Sequence, residues 1–187
     1  MKEQKKLLRR ELLAARRAIT ESERNAADIK LAELFLSLDE YKRADTVLLY
    51  ASYAEEIDTY RIARAALADG KRIAYPRCNP DRTMDFYICR PDELTAGFKG
   101  IPEPPQSAER FIKSDRAVCL LPALAVDRRG FRLGYGGGFY DRFLTDFRGT
   151  TVVPVRDGSL FDSLPREEFD IPASITVTQK EVIYNEY

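Results

Sequence analysis

The chain has 187 residues, 44% apolar and 32% charged, with thirty basic and thirty acidic side chains that cancel. This length suits one domain around a single core, spanning residues 1–187, and no apolar run approaches the roughly 20 residues of a membrane span. Zero net charge removes any general attraction to nucleic acid or an anionic membrane, and the absence of histidine excludes Ser-His-Asp and Cys-His catalysis, histidine-ligated zinc and an imidazole proton shuttle. Cys78, Cys89 and Cys119 are odd in number and lack CxxC spacing, so reduced, buried thiols are expected rather than a disulfide framework or thiolate zinc site.

The opening MKEQKKLLRRELL alternates charge with leucine and lacks a continuous apolar signal core, so a cytoplasmic location is expected. Leu8, Leu12, Ala15 and Ile19 recur at helical spacing, and Thr20 with Glu23 predicts a capping box opening a second helix striped by Leu31, Leu34, Phe35 and Leu38. TVLLY, from Thr46 to Tyr50, is a short apolar run suited to a strand buried on both faces. Asp58 is placed to cap a helix ending near Gly70, and RIAYP at Arg72 to Pro76 returns as a strand, completing a βαβ unit.

Further on, Met84, Phe86 and Ile88 alternate within a strand, with Phe86 read as core, and GIPEPP from Gly100 forms a turn-rich loop. AVCLLP at Ala117 to Pro122 reads as the most buried strand. A turn at DRRG follows, then a glycine loop and a helix carrying Tyr140, Phe143, Leu144 and Phe147. TTVVPV, ending at Val155, is another buried strand, and ITVT and VIY supply two short ones near the end. Strands separated by helical stretches predict an α/β domain built as a three-layer α/β/α sandwich with a mostly parallel, Rossmann-like sheet.

Chemistry concentrates in RLGYGGGFYDR, from Arg132 to Arg142. Gly134, Gly136, Gly137 and Gly138 lack β-carbons, so the backbone there can take positive φ and bring amides close to an oxyanion. A helix starting at FYDRFL aims its free amides back at the loop, and Arg132 can add a guanidinium. The loop is not a Walker A sequence, because no Lys-Ser/Thr follows, and Phe139 occupies the last glycine of a GxGxxG reading. A sugar-phosphate isomerase, an acyl transferase or a noncatalytic nucleotide binder also fits an anion-binding loop taken alone.

This block, preceded by LPALAVDRRG, resembles the signature of the 5-formyltetrahydrofolate cyclo-ligase family. KKLLR, EEIDT, YPR, MDFY and GIPEP appear in the matching order along nearly the whole chain. The resemblance implies that ATP phosphorylates the formyl oxygen of 5-formyltetrahydrofolate. Nitrogen 10 then attacks the activated carbon and phosphate leaves, giving 5,10-methenyltetrahydrofolate. It implies ATP and magnesium as cofactors and a reduced folate as substrate; the neutral charge and the lack of an apolar span lead us to expect no nucleic-acid or membrane partner, and a monomer is expected.

The same resemblance assigns ATP contacts to Lys5, Arg9 and the run Arg132, Leu133, Gly134, Tyr135, Gly136, Gly137, Gly138, Phe139 and Tyr140. Lys5 and Arg9 lie four residues apart, on one face of a helix, and Lys6 or Arg10 can share their work. Folate contacts are assigned to Glu56, whose carboxylate suits an amino-pyrimidine edge, and to Tyr135, Gly136, Gly137, Gly138 and Phe139. Asp141 and Asp170 match the acidic metal positions. The sequence departs from the family pattern beside Asp170, with Phe169 where a polar residue is usual and Ser174 where an acid is common.

Overall fold

A computed structural model of the chain describes residues 1–97 and 100–185. Helices α1 (Lys2–Ala18), α2 (Glu21–Ser37) and the short α3 (Asp39–Arg43) precede strand β1 (Thr46–Leu48). Helix α4 (Tyr60–Ala68) leads to β2 (Arg72–Cys78) and β3 (Met84–Ile88), followed by three two-residue strands, β4 (Thr95–Ala96), β5 (Pro102–Glu103) and β6 (Glu109–Arg110). The second half runs through β7 (Ala117–Leu120), β8 (Ala125–Asp127), β9 (Arg132–Leu133), α5 (Phe139–Leu144), β10 (Thr150–Pro154), β11 (Leu160–Phe161), β12 (Ile175–Val177) and β13 (Val182–Tyr184).

The local signals act as their chemistry requires. Thr20 Oγ1 accepts the Glu23 amide at 3.3 Å while the Glu23 carboxylate accepts the Thr20 amide at 2.9 Å, which satisfies amides that α2 would otherwise leave free. Asp58 accepts the amide of Tyr60, the first residue of α4, at 2.9 Å, although Thr59 holds the capping position.

The main sheet has the order β13-β12-β10-β7-β1-β2-β3-β6. Its five central strands, from β12 to β2, are parallel, and antiparallel strands close both edges. Apolar side chains at successive positions explain this two-sided burial. Val47, Val118 and Val152 face α2, α3 and α4, whereas Leu48, Cys119 and Val153 join Phe143 and Leu144 of α5 on the opposite face. A three-stranded sheet, β11-β8-β9, shares that second outer layer, and α1 packs on it through Leu12. The three-layer architecture is therefore present, with one outer layer part helix and part small sheet. The chain passes from β1 to β2 on one side and returns to β7 on the other, so the carboxyl ends of β1 and β7 flank a topological switch point.

Three local expectations change, the first being that Cys78 is exposed while Cys89 and Cys119 are buried. The buried stripe of α1 is Lys5, Leu12 and Arg16, while Ala15 is exposed, because on this face the helix's cations meet the Asp170 carboxylate and the Ala123 carbonyl. Helix α5 stops at Leu144, short of Phe147. The chain must turn there to enter β10 through Gly149, which lies so near the Ala117 carbonyl that a β-carbon would collide with it.

Candidate functional site

The glycine loop joins β9 to α5. Positive φ occurs at Gly136 (+98°) and Gly138 (+68°), where a side chain would strain the backbone. Gly134 and Gly137 do not adopt it; Gly137 is glycine for space, since a β-carbon there would approach the Phe139 ring to 2.7 Å. The loop carbonyls are tied down, with Arg9 Nε donating to Gly134 O at 2.8 Å and Arg142 Nη1 to Gly137 O at 3.1 Å. Among the described residues, no amide from Gly134 to Gly138 donates a hydrogen bond. Tied carbonyls and free amides, with the Arg9 guanidinium against Gly136, make a receptor for an anion. Because α5 has only six residues, the loop amides themselves carry this attraction more than a long helix dipole would.

Two carboxylates stand at one end of the loop. Asp141 Oδ1 accepts from Arg132 Nη2 at 2.9 Å and from the Ile171 amide at 3.5 Å, while Arg132 Nη1 donates to the Ile171 carbonyl at 2.9 Å. Asp170 Oδ2 accepts from Lys5 Nζ and from the Glu167 amide, each at 2.7 Å. Lys5 also reaches Glu167 Oε2 at 3.2 Å, so its buried ammonium clamps the acidic loop to α1 and retains a third donor for an anion. Asp141 and Asp170 are thus brought to adjoining segments, each facing a cation of the chain. No cluster of three or more His, Cys, Asp or Glu side chains placed to hold a metal occurs among the described residues. Two carboxylates nevertheless suit magnesium, which commonly takes one or two protein oxygens and completes its shell with phosphate and water. Ser174 is engaged elsewhere, with its hydroxyl 3.1 Å from that of Thr151, and Phe169 is exposed.

A second group of residues gathers after β1. The Glu56 amide donates to Tyr53 O at 3.1 Å and the Tyr53 amide to Glu56 Oε2 at 3.0 Å, which folds the loop back and leaves Glu56 half-buried. Burial pushes the Glu56 carboxyl pKa upward, and the Tyr53 amide, the Tyr135 hydroxyl and the Arg16 charge partly oppose it. Arg16 Nη1 donates to Tyr135 Oη at 3.2 Å and Nη2 to Ala123 O at 2.7 Å, so α1, the β7–β8 connection and the glycine loop meet beside Glu56. Burial raises the Tyr135 and Tyr140 phenol pKa values, and both phenols feel the Glu56 charge. Among the described residues the buried Tyr140 hydroxyl has no hydrogen-bond partner, and its ring meets Phe86 edge-on at 6.3 Å. Phe139 is half-buried, whereas Leu133 is core, so any part it takes in ligand binding is through its backbone.

Sequence reasoning missed Arg16. Lys5, Arg9, Leu12 and Arg16 follow one another at intervals of four, three and four, which puts them on one helical face, but attention to apolar residues conceals that stripe. Asp28 and Arg156, which pair beneath the Glu56 loop, have no local signal at all.

The 5-formyltetrahydrofolate cyclo-ligase family model matches residues 1–179. The 5-formyltetrahydrofolate cyclo-ligase of Mycolicibacterium smegmatis is 34% identical, over 94% of each chain. That of Escherichia coli K12 is 30% identical, over 89% of this chain and 96% of the relative. The solution structure of Aquifex aeolicus 5,10-methenyltetrahydrofolate synthetase superimposes with a TM-score of 0.85 at 31% identity, covering 96% of this chain and 92% of the other. A match across nearly the whole sequence, on the same fold, shows that this chain belongs to the 5-formyltetrahydrofolate cyclo-ligase family.

Proposed function

We propose that this chain converts 5-formyltetrahydrofolate to 5,10-methenyltetrahydrofolate using ATP, in the cytoplasm and as a monomer. Family membership supports the folate conversion. The observation that carries the ATP-dependent reading is the loop from Gly134 to Gly138, with its free amides beside Asp141 and not far from Glu56.

In this reading the loop amides, Arg9 and the third donor of Lys5 receive the triphosphate. The formyl oxygen takes the γ-phosphoryl group with loss of ADP. Nitrogen 10 attacks the formyl carbon and gives up its proton, and the carbon–oxygen bond breaks to release phosphate. Phosphorylation is needed because a formamide oxygen is otherwise a poor leaving group. Asp141 and Asp170 would hold magnesium, which when bound supplies neutralisation of phosphate charge. Glu56 accepts hydrogen bonds from the amino-pyrimidine edge, and Tyr135 and Phe139 pack against flat rings. Incubation with 5-formyltetrahydrofolate, ATP and magnesium is expected to yield methenyl absorbance and phosphate together. Folded protein that forms neither product would refute the proposal, and binding without turnover would identify a noncatalytic relative.

Two further outcomes follow from the geometry. Gly137→Ala is expected to weaken ATP binding by about tenfold, because its methyl group displaces the Phe139 ring that shapes the loop. The backbone φ at Gly137 is not positive, so calorimetric titration should show this loss without a comparable fall in melting temperature. Gly134→Ala, whose methyl group meets nothing within 4 Å, serves as the control.

The second outcome concerns pH. Since the Glu56 carboxyl has a raised pKa, acidification protonates it earlier than an ordinary glutamate. Folate affinity is expected to decline as pH falls through a window above 4.5, the ordinary value, and this decline should vanish in Glu56→Gln. A profile identical in the two proteins would remove Glu56 from the folate contact.

A further inference from the structure

Arg156 lies just beyond the carboxyl end of β10, and its guanidinium is buried beneath the Glu56 loop. Nε and Nη2 form a paired contact with Asp28 Oδ1 and Oδ2, each at 2.8 Å. The remaining donors reach consecutive carbonyls of the loop, Nη1 to Glu55 O at 2.8 Å and Nη2 to Glu56 O at 3.1 Å. Asp28, on α2, is also buried, and its Oδ2 accepts the Asp58 amide at 3.0 Å. One ion pair therefore holds the segment from Glu55 to Asp58 by two carbonyls and an amide.

Fold stability is a weak reason for such a pair. Burying two charges carries a desolvation cost that often matches or exceeds their attraction, and well-packed apolar replacements can be as stable. The pair supplies direction instead: a planar fork that binds a carboxylate on one side and successive peptide carbonyls on the other fixes the orientation of the peptide bearing Glu56. We propose that Arg156 and Asp28 are positioning residues that set the Glu56 carboxylate for the folate, an inference that rests on the proposed contact between Glu56 and the pyrimidine edge. The glycine-loop carbonyls are held by Arg9 and Arg142 rather than by this pair, so the effect should fall mainly on folate.

The test compares Arg156→Lys, the charge-free pair Asp28→Leu/Arg156→Met, Glu56→Gln, and Arg156→Lys combined with Glu56→Gln in the full chain. KM for 5-formyltetrahydrofolate, KM for ATP, kcat and melting temperature are measured well below unfolding. Lysine keeps the charge but cannot reproduce the fork, and the apolar pair leaves no buried charge unpaired. Arg156→Lys and the apolar pair are expected to raise folate KM by about tenfold, with ATP KM within about twofold. Adding Arg156→Lys to Glu56→Gln should produce little further loss, because the two act through one contact. Folded Arg156→Lys with normal folate KM, beside an impaired Glu56→Gln, overturns the positioning role alone. Equal losses for ATP and folate also overturn it, as a general structural defect. Normal folate KM in Glu56→Gln overturns the Glu56 contact and the positioning role together.

Discussion

Asp141→Asn is expected to lower kcat by roughly 100- to 1,000-fold while leaving the dissociation constant for 5-formyltetrahydrofolate within about twofold. Asparagine preserves the shape, and its side-chain carbonyl can still accept from Arg132 Nη2, the 2.9 Å contact of the native protein. It lacks the negative charge that a hard cation needs beside phosphate oxygens. In the proposed arrangement the pyrimidine edge is held by Glu56, which the Arg16–Tyr135 contact adjoins, and the substitution touches none of these residues. Stopped-flow methenyl absorbance across a magnesium titration measures the first quantity, and equilibrium folate binding without ATP measures the second. Native turnover in the variant would remove Asp141 from phosphoryl transfer, and a matching loss of folate binding would indicate that the cleft had deformed.

The second large effect is on stability. Phe86→Ala should destabilise the fold by about 3–5 kcal/mol, the usual cost of emptying a buried phenylalanine site. Phe86 is 1% exposed, and its ring lies 4.8 Å from Phe143 and 6.3 Å from Tyr140, both on α5. Removing it opens a cavity between β3 and the helix that follows the glycine loop. In a domain of this size the loss corresponds to a fall in melting temperature of roughly 10 °C, measurable by calorimetry. ATP affinity should fall with it even below the transition, because α5 anchors one end of the loop. A variant with native melting temperature would show that these aromatic contacts contribute little to stability.

Much of the fold is legible in the sequence because the relevant interactions are local or periodic. TVLLY, AVCLLP and TTVVPV have apolar residues on successive positions, which only a doubly covered strand can bury, and all three lie side by side in the sheet. The Thr20 and Glu23 pair opens α2 through contacts only three residues apart. By contrast, the apolar pattern of α1 marks Leu8 and Leu12, which do pack on the small sheet, but it also marks the exposed Ala15 and misses the buried cations. Hydrophobicity alone does not reveal that Lys5 and Arg16 are buried, since their burial depends on Asp170, Glu167, Ala123 and Tyr135, all more than a hundred residues away.

For the candidate site, the sequence by itself determined the chemistry on offer: no imidazole, a loop dense in glycine followed by an acid, and a carboxylate after the first strand. These are properties of residue types and short spacings, which need no fold to exist. Only the tertiary structure decided which glycines require positive φ, that the loop turns carbonyls to Arg9 and Arg142 while its amides find no partner among the described residues, and that Lys5 faces Asp170. The pairing of Asp28 with Arg156 under Glu56 belongs there too, because it joins residues 128 positions apart. Contacts of that kind arise when the parallel sheet brings the carboxyl ends of β1, β7 and β10 to one end, and no local pattern in the chain encodes them.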